Sequence, residues 1–244
     1  MTIKYWSQLN SKHKYFNNQF KKIFESSKEA FEILKKKKLN NLNTLDLACG
    51  NGANLFFLKK KYNNKKYCLG LDFNKNLILR GQDYNNYKNL ELKFGNILNL
   101  KKKLKNKFQL ITSFQTLSWL NDYKKASLEM IKLNSDYIFI SSLFWEGLID
   151  FNVKLNVLKN DNWDRKKLYS KYYNIYSLNN FLSFYKKNNY KTILCKKFLI
   201  KKNLKNNFNY NMGTYTIKNK QKNIQISGPL IMNWYFIIFK KINE

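Results

Sequence analysis

Proline occurs once in these 244 residues, at Pro229, histidine once, at His13, and arginine only at Arg80 and Arg165. With proline so scarce and no low-complexity stretch, neither a disordered linker nor an internal repeat is evident. The three cysteines, Cys49, Cys68 and Cys195, are far apart and odd in number, which fits neither a disulfide framework nor a zinc cluster and suits a reducing cytoplasm. No metal site is expected. Uncharged apolar runs never reach the roughly 18 residues of a membrane span. Met1 to Phe20 mixes polar and aromatic residues, so neither an anchor nor a secretory signal, and no membrane partner, is expected.

What is abundant is lysine, which gives a formal net charge of +31. Such a field attracts polyanions. Readers of nucleic acid favour the bidentate fork of arginine, so its scarcity argues against a specific nucleic-acid partner. Lys, Asn, Ile, Tyr and Phe crowd out Ala, Pro and Arg, the pattern an extremely AT-rich coding sequence gives on solvated faces. An apolar fraction of 44% fills a sizeable core, and the length suits one domain spanning 1–244.

Apolar residues at helical spacing over 12–39, closed by Lys35 to Lys38, predict a helical N-terminal cap over 1–40. Thr44 to Ala48 then reads as a strand, Gly50-Asn51-Gly52 as a turn and Asn54 to Lys59 as a helix. Further strands are expected at Lys66–Asp72, Leu90–Phe94, Phe108–Phe114 and Tyr137–Leu143, with helices at Asn74–Tyr84 and Asp122–Leu133. This alternation over 41–145 implies a parallel sheet covered on both faces. In 146–244, Ser177 is placed as an N-cap, Tyr190–Ile200 and Trp234–Lys240 read as long strands, and Tyr215–Ser227 as a small hairpin.

Around the turn each residue type meets a separate need. Gly50 and Gly52 let the chain turn sharply and bring backbone N–H groups near a ligand. Asp46, four residues before Gly50, would repel a phosphate but suits a cofactor with a positive centre. Asp72 ends the second strand, where a carboxylate accepts from ribose hydroxyls. After the third strand, Asn96 can read an adenine edge with Ile97 packed on the ring. Cys49 has no histidine nearby in sequence to activate it and reads as packing.

The run Asp46-Leu47-Ala48-Cys49-Gly50-Asn51-Gly52, with Gly70-Leu71-Asp72, Gly95-Asn96-Ile97 and Phe108 to Ser113, resembles the class I S-adenosylmethionine (SAM) dependent methyltransferases. The resemblance implies a Rossmann-like α/β fold, a seven-stranded mostly parallel sheet closed by a C-terminal antiparallel hairpin. It implies SAM as cofactor, S-adenosylhomocysteine as product, and cofactor contacts from Asp46, Ala48, Gly50, Asn51, Gly52, Asp72, Phe73, Asn96, Ile97 and Phe114. Position 96 is most often Asp in that family, so Asn96 is a departure.

The chain has neither the proline pair after the fourth strand that marks N6-adenine and N4-cytosine methyltransferases nor the Pro-Cys nucleophile of cytosine-C5 enzymes. Methyl transfer is an in-line displacement at carbon, and a base is needed only for a hydroxyl or ammonium acceptor. His13, Glu146 and Asp150 are the candidates for that base. Gln115, Trp119, Trp145, Tyr5 and Trp6, with Trp163, are candidate acceptor-pocket residues. The segments Gly213–Ile217, Ile226–Leu230 and Asn233–Tyr235 resemble part of bacterial small-molecule methyltransferases, which implies a substrate lid within 146–244. A small-molecule acceptor, a sugar or metabolite hydroxyl or amine, is therefore expected in the cytoplasm. An RNA or protein methyltransferase using the basic surface, or a SAM-binding scaffold without catalysis, stands as the alternative. Oligomeric state is not encoded in any motif here.

Overall fold

The computed structural model describes residues 14–105, 107–157, 169–200, 214–219, 222–227 and 234–242. The chain opens with α1 (Lys14–Lys21) and α2 (Glu25–Lys36). The alternating part follows: β1 (Thr44–Leu47), α3 (Ala53–Tyr62), β2 (Cys68–Asp72), α4 (Lys75–Tyr84), β3 (Leu90–Phe94), β4 (Leu110–Phe114), α5 (Tyr123–Lys132) and β5 (Tyr137–Trp145). Then come β6 (Lys154–Val157), β7 (Tyr169–Tyr172), β8 (Tyr176–Ser177), α6 (Leu178–Lys187), β9 (Tyr190–Phe198), β10 (Thr214–Asn219), β11 (Lys222–Ser227) and β12 (Trp234–Lys241).

The main sheet runs β3-β2-β1-β4-β5-β12-β9, with β8 pairing the end of β5. Strands β1 to β5 are parallel, and β12 is antiparallel to both β5 and β9. The expected mostly parallel sheet with its closing antiparallel pair is therefore present. Alternate residues of each strand feed two cores. Leu90, Leu92, Leu110, Phe139 and Phe236 pack with α2 and α3 on one face. Leu45, Leu69, Ile111, Ile138 and Ile237 pack with α5 and α6 on the other.

Local signals set the helix starts. Asn74 caps α4 by accepting from the Asn76 and Leu77 amides, Asp122 caps α5 through Lys124, and Ser177 caps α6 through Asn180. The helical region expected over 12–39 is two helices, because Phe24 is extended and redirects the chain. The break lets α1 cover the glycine turn while the apolar stripe of α2, Ala30, Phe31, Ile33 and Leu34, is buried against the sheet. The second and fourth strands begin later than expected, at Cys68 and Leu110. The β10–β11 hairpin matches the expected 215–227 but starts one residue earlier, at Thr214. The β6–β7 pair is an addition to the expected elements, built from two strands of four residues each.

Candidate active site

The chain leaves β1 for β2 on one side and returns to β4 on the other, so a crevice opens at the carboxyl ends of β1 and β4. Both lips are shaped by left-handed backbone. Ala48 (φ 58°), Gly50 (φ 60°) and Gly52 (φ 76°) line one, and Gln115 (φ 56°) forms the other. Glycine adopts this region freely, whereas Ala48 and Gln115 each hold it at a cost of about 1–2 kcal/mol. Strain of this kind gathers at functional sites.

Two buried carboxylates stand in the crevice. Asp72 Oδ2 accepts from the Gly50 amide at 2.8 Å and its Oδ1 from the Asn74 amide at 2.8 Å, so the end of β2 is tied to the glycine turn. Asp46 Oδ1 accepts from Thr112 Oγ1 at 2.7 Å, across the register pair that joins β1 to β4. Its Oδ2 is buried with no hydrogen-bond partner among the described residues. Burial pushes the Asp46 carboxyl up to about 7, against the lowering effect of Thr112 and with a smaller push from Asp72. Burial likewise pushes Asp72 up to about 6, although the amides of Asn74, Gly50 and Phe73 oppose it. Burial, followed by the charges of Asp72 and Asp46, raises the Cys49 thiol well above its ordinary range. Cys49 therefore stays protonated, which suits packing and not nucleophilic attack.

The floor of the turn is a single leucine. A Cβ on Gly52 or Gly70 would lie 2.5 Å or 2.6 Å from Leu92 Cδ2, and one on Gly81 would strike the Asn51 carbonyl. The roof is α1. Asn51 Nδ2 donates to the Phe16 carbonyl at 2.8 Å, the Phe16 ring lies over Gly50, and Phe20 stacks on Tyr84 at 4.4 Å. The start of α2 joins the other lip: Gln115 Nε2 donates to Ser26 Oγ at 3.3 Å, and Ser27 Oγ to Asn54 Oδ1 at 2.8 Å.

Other expected residues distribute as follows. Phe73 is half-buried beside Asp72 and Ile97 is buried. Asn96 Oδ1 already accepts from the Leu98 amide at 2.9 Å, which leaves Nδ2 as its donor. Phe114 packs edge-on against Phe139 at 5.1 Å, under the mouth. Trp119 stands at the mouth with its ring 4.7 Å from Tyr173 and the Lys171 Nζ 5.2 Å above it. Trp145 lies further along the same edge, at the end of β5. Glu146 accepts from Tyr235 OH at 2.6 Å and pairs with Lys197 at 2.7 Å, and Lys197 holds its carboxyl below the usual range. Asp150 Oδ1 accepts from the Ser177 amide at 2.5 Å. His13, Tyr5, Trp6, Trp163, Gly213, Gly228 and Pro229 lie outside the described residues.

Three residues that carry the site escape a reading by sequence. Thr112 orients Asp46. Asn174 is fully buried and binds the mouth loop: its Nδ2 donates to the Leu120 and Asn121 carbonyls at 2.9 Å and 3.2 Å, and its Oδ1 accepts from the Val153 amide at 3.0 Å. Lys171 is buried on β7, and burial lowers its pKa. An asparagine flanked by Tyr173, Ile175 and Tyr176 is the only signal the sequence offers for this group. Among the described residues no group of acids, cysteines and histidines can hold a metal ion.

A family model described as a methyltransferase domain matches residues 38–225, and the chain belongs to that family. It is a SAM-dependent methyltransferase by class, with SAM as methyl donor. Compared with curated proteins by sequence, it matches none. Among solved structures it is similar to a candidate sarcosine dimethylglycine methyltransferase from Galdieria sulphuraria (19% identity, TM-score 0.53), covering 70% of this chain and 62% of that one. The chain thus spans under two thirds of that protein's length. It is similar to a candidate RNA methyltransferase from Pyrococcus horikoshii (9% identity, TM-score 0.55), covering 99% and 97%. A third is the magnesium protoporphyrin IX methyltransferase of Synechocystis with bound S-adenosylhomocysteine (9% identity, TM-score 0.53), covering 89% and 82%. At these identities the likeness speaks for the fold. The crevice itself fits a cationic ligand, since Asp46 Oδ2 is buried without a partner among the described residues and stands beside a second carboxylate.

Proposed function

We propose that this methyltransferase acts on a small-molecule hydroxyl or amine, in the cytoplasm, as one domain whose helical cap and 146–244 segment enclose the sheet edge. SAM supplies a methyl group made electrophilic by its sulfonium. Asp46 receives the cationic methionine end in the crevice, where its unpartnered Oδ2 gains a charge-assisted hydrogen bond. Asp72, held by the backbone amides of Gly50, Asn74 and Phe73, keeps acceptor capacity at the end of β2 for a ribose hydroxyl. Asn96 Nδ2 and the buried Ile97 take the adenine, with Phe73 and Phe114 beside them. Ala48, Gly50, Asn51 and Gly52 form the turn that lets the backbone approach.

The observation that carries the small-molecule reading is the walled acceptor side. Trp119, Tyr173 and the buried Lys171 close the mouth as an aromatic wall, and the loop below it is pinned by Asn174. The lysines that end α2, α3 and α6 lie at the opposite, amino edge of the sheet, which disfavours a polyanion laid across the mouth. Gln115, Trp119 and Trp145 position the acceptor, and Glu146 and Asp150, both engaged in hydrogen bonds, act as rim positioning groups. Calorimetric titration with SAM and S-adenosylhomocysteine tests the cofactor reading. Both bind wild type, Asp72→Ala loses at least about tenfold in affinity, and undiminished binding by that variant would sink the assignment.

A further inference from the structure

On β4, β5 and β12 the alternation of side chains sends Leu110, Phe139, Leu143 and Phe236 into the core that packs with α2 and α3. Thr112, Phe114, Ser141 and Trp234 therefore share that face. So does Asp46, whose neighbours Leu45 and Leu47 fill the opposite core. The register places Ser141 two strands across from Asp46 and two residues nearer the carboxyl edge, roughly 12 Å away. The Ser141 carbonyl accepts from the Gln115 amide at 2.8 Å, which ties the serine to the left-handed lip of the crevice. Trp234 lies one strand further, opposite Leu143, in one apolar cluster with Tyr173, Ile175 and Phe198. One face of the sheet thus carries the crevice carboxylate at one end and Ser141 and Trp234 behind the mouth at the other.

Ser141 Oγ and Trp234 Nε1 are buried without a hydrogen-bond partner among the described residues, and the two residues are only 1% and 5% exposed. Their cross-strand neighbours explain it. Ser141 stands between Phe114 and Phe236, and Trp234 between Leu143 and Phe198, none of which has a side-chain acceptor. The adjacent serine shows the contrast: Ser142, on the opposite face, shares a 2.8 Å hydrogen bond with Ser118. Buried polar groups left unpaired cost stability and are few in native proteins, so a pair of them on the acceptor side calls for a ligand that serves both. An indole nitrogen only donates, so whatever meets Trp234 presents a lone pair. We propose that Ser141 and Trp234 donate to a carboxylate or carbonyl oxygen of the methyl acceptor and thereby select acceptor molecules that carry that group. Trp119 and Tyr173, whose rings wall the mouth, hold the apolar body of the same molecule. The role of that molecule as methyl acceptor rests on the function proposed above; the two donors and their oxygen ligand do not.

Magnetic resonance of the tryptophan indole groups in the full chain, with S-adenosylhomocysteine present, tests it, using benzoate and benzamide as probes. Trp234→Phe identifies the Trp234 signal by its loss. Benzoate, benzamide or both move that signal saturably, whereas benzylamine, which has the ring and no oxygen, leaves it in place. A response to benzoate alone marks a carboxylate site, and a response to benzamide a carbonyl site. Calorimetric affinity for the probe that binds falls about tenfold in Trp234→Phe and about threefold in Ser141→Ala. Ser141→Ala leaves the unfolding temperature of the ligand-free protein unchanged or raises it, because it removes an unpaired group. A Trp234 signal unmoved by both oxygen probes, an equal shift with benzylamine, or a lower unfolding temperature in Ser141→Ala overturns the proposal, since water or the protein itself would then serve these donors. Binding of S-adenosylhomocysteine is read on the same samples. Its absence in wild type would sink the methyl-transfer reading, while the probe titrations, which involve no methyl transfer, decide this proposal alone.

Discussion

At the ends of β1 and β2, Asp46, Thr112, Asp72 and Gly50 hold one another through short polar bonds, between the Leu92 floor and the Phe16 roof. At the ends of β4 and β5 the opposite holds. Trp119 packs on Tyr173 and Tyr123 on Tyr176, with the buried amide of Asn174 tying the loop between them. A cofactor common to many enzymes is met by charge and backbone. The acceptor side is met by shape.

The largest test of that contrast is pH. Asp46 titrates at about 7 folded against 3.8 ordinarily, so the folded chain binds the proton more tightly than the unfolded one. Ligand-free stability is then present at acid pH and is lost as pH rises between about 4 and 7, by roughly 4 kcal/mol at about 1.4 kcal/mol per unit. Asp72, raised to about 6, adds loss in the same direction. Chemical denaturation across that range follows it. Asp46→Asn should flatten the curve and weaken SAM roughly tenfold, and an unchanged pH profile would mean that the acid is not buried as a charge.

A backbone test comes next. Gly81→Ala forces a methyl against the Asn51 carbonyl and Leu92, and a loss of about 3 kcal/mol in urea denaturation is expected. On the acceptor side, Asn174→Ala strips the partners from the Leu120, Asn121 and Val153 backbone groups. It should cost about 2 kcal/mol and lower turnover while SAM affinity holds. Equal losses of turnover and SAM affinity would erase the distinction between the two sides. The smallest effect belongs to Ala48→Gly, which relieves the left-handed strain at φ 58° and should shift stability by at most about 1 kcal/mol upward, read by thermal unfolding.

The same contrast decides what could be read before folding. Asp46, the glycine turn and Asp72 lie within one strand-turn-helix-strand unit, so local spacing exposes them, and the N-caps Asn74, Asp122 and Ser177 announce their helices in the same way. Thr112 lies within a strand the sequence announces, yet its hold on Asp46 depends on a register pair far away in sequence. Asn174 and Lys171 were invisible because an asparagine that bonds Leu120 and a lysine that lies over Trp119 have no periodic signature. The break between α1 and α2 was missed for a related reason: the apolar spacing runs through it, and only the two separate surfaces to be covered require the turn.

Leu92 extends this to how the sequence can change. Its two methyl groups occupy the space that side chains at positions 52 and 70 would need, and they also border position 81. These four sites therefore form one mutational unit, in which a larger residue at any glycine presses on Leu92. Gly52 is bound besides by its backbone angle and Gly81 by the Asn51 carbonyl, while a Cβ at position 70 would meet Cys49 Sγ at 2.8 Å as well as Leu92. Homologues that hold alanine at 70 should then carry smaller side chains at both 92 and 49, and a random library would recover these changes together far more often than the alanine alone.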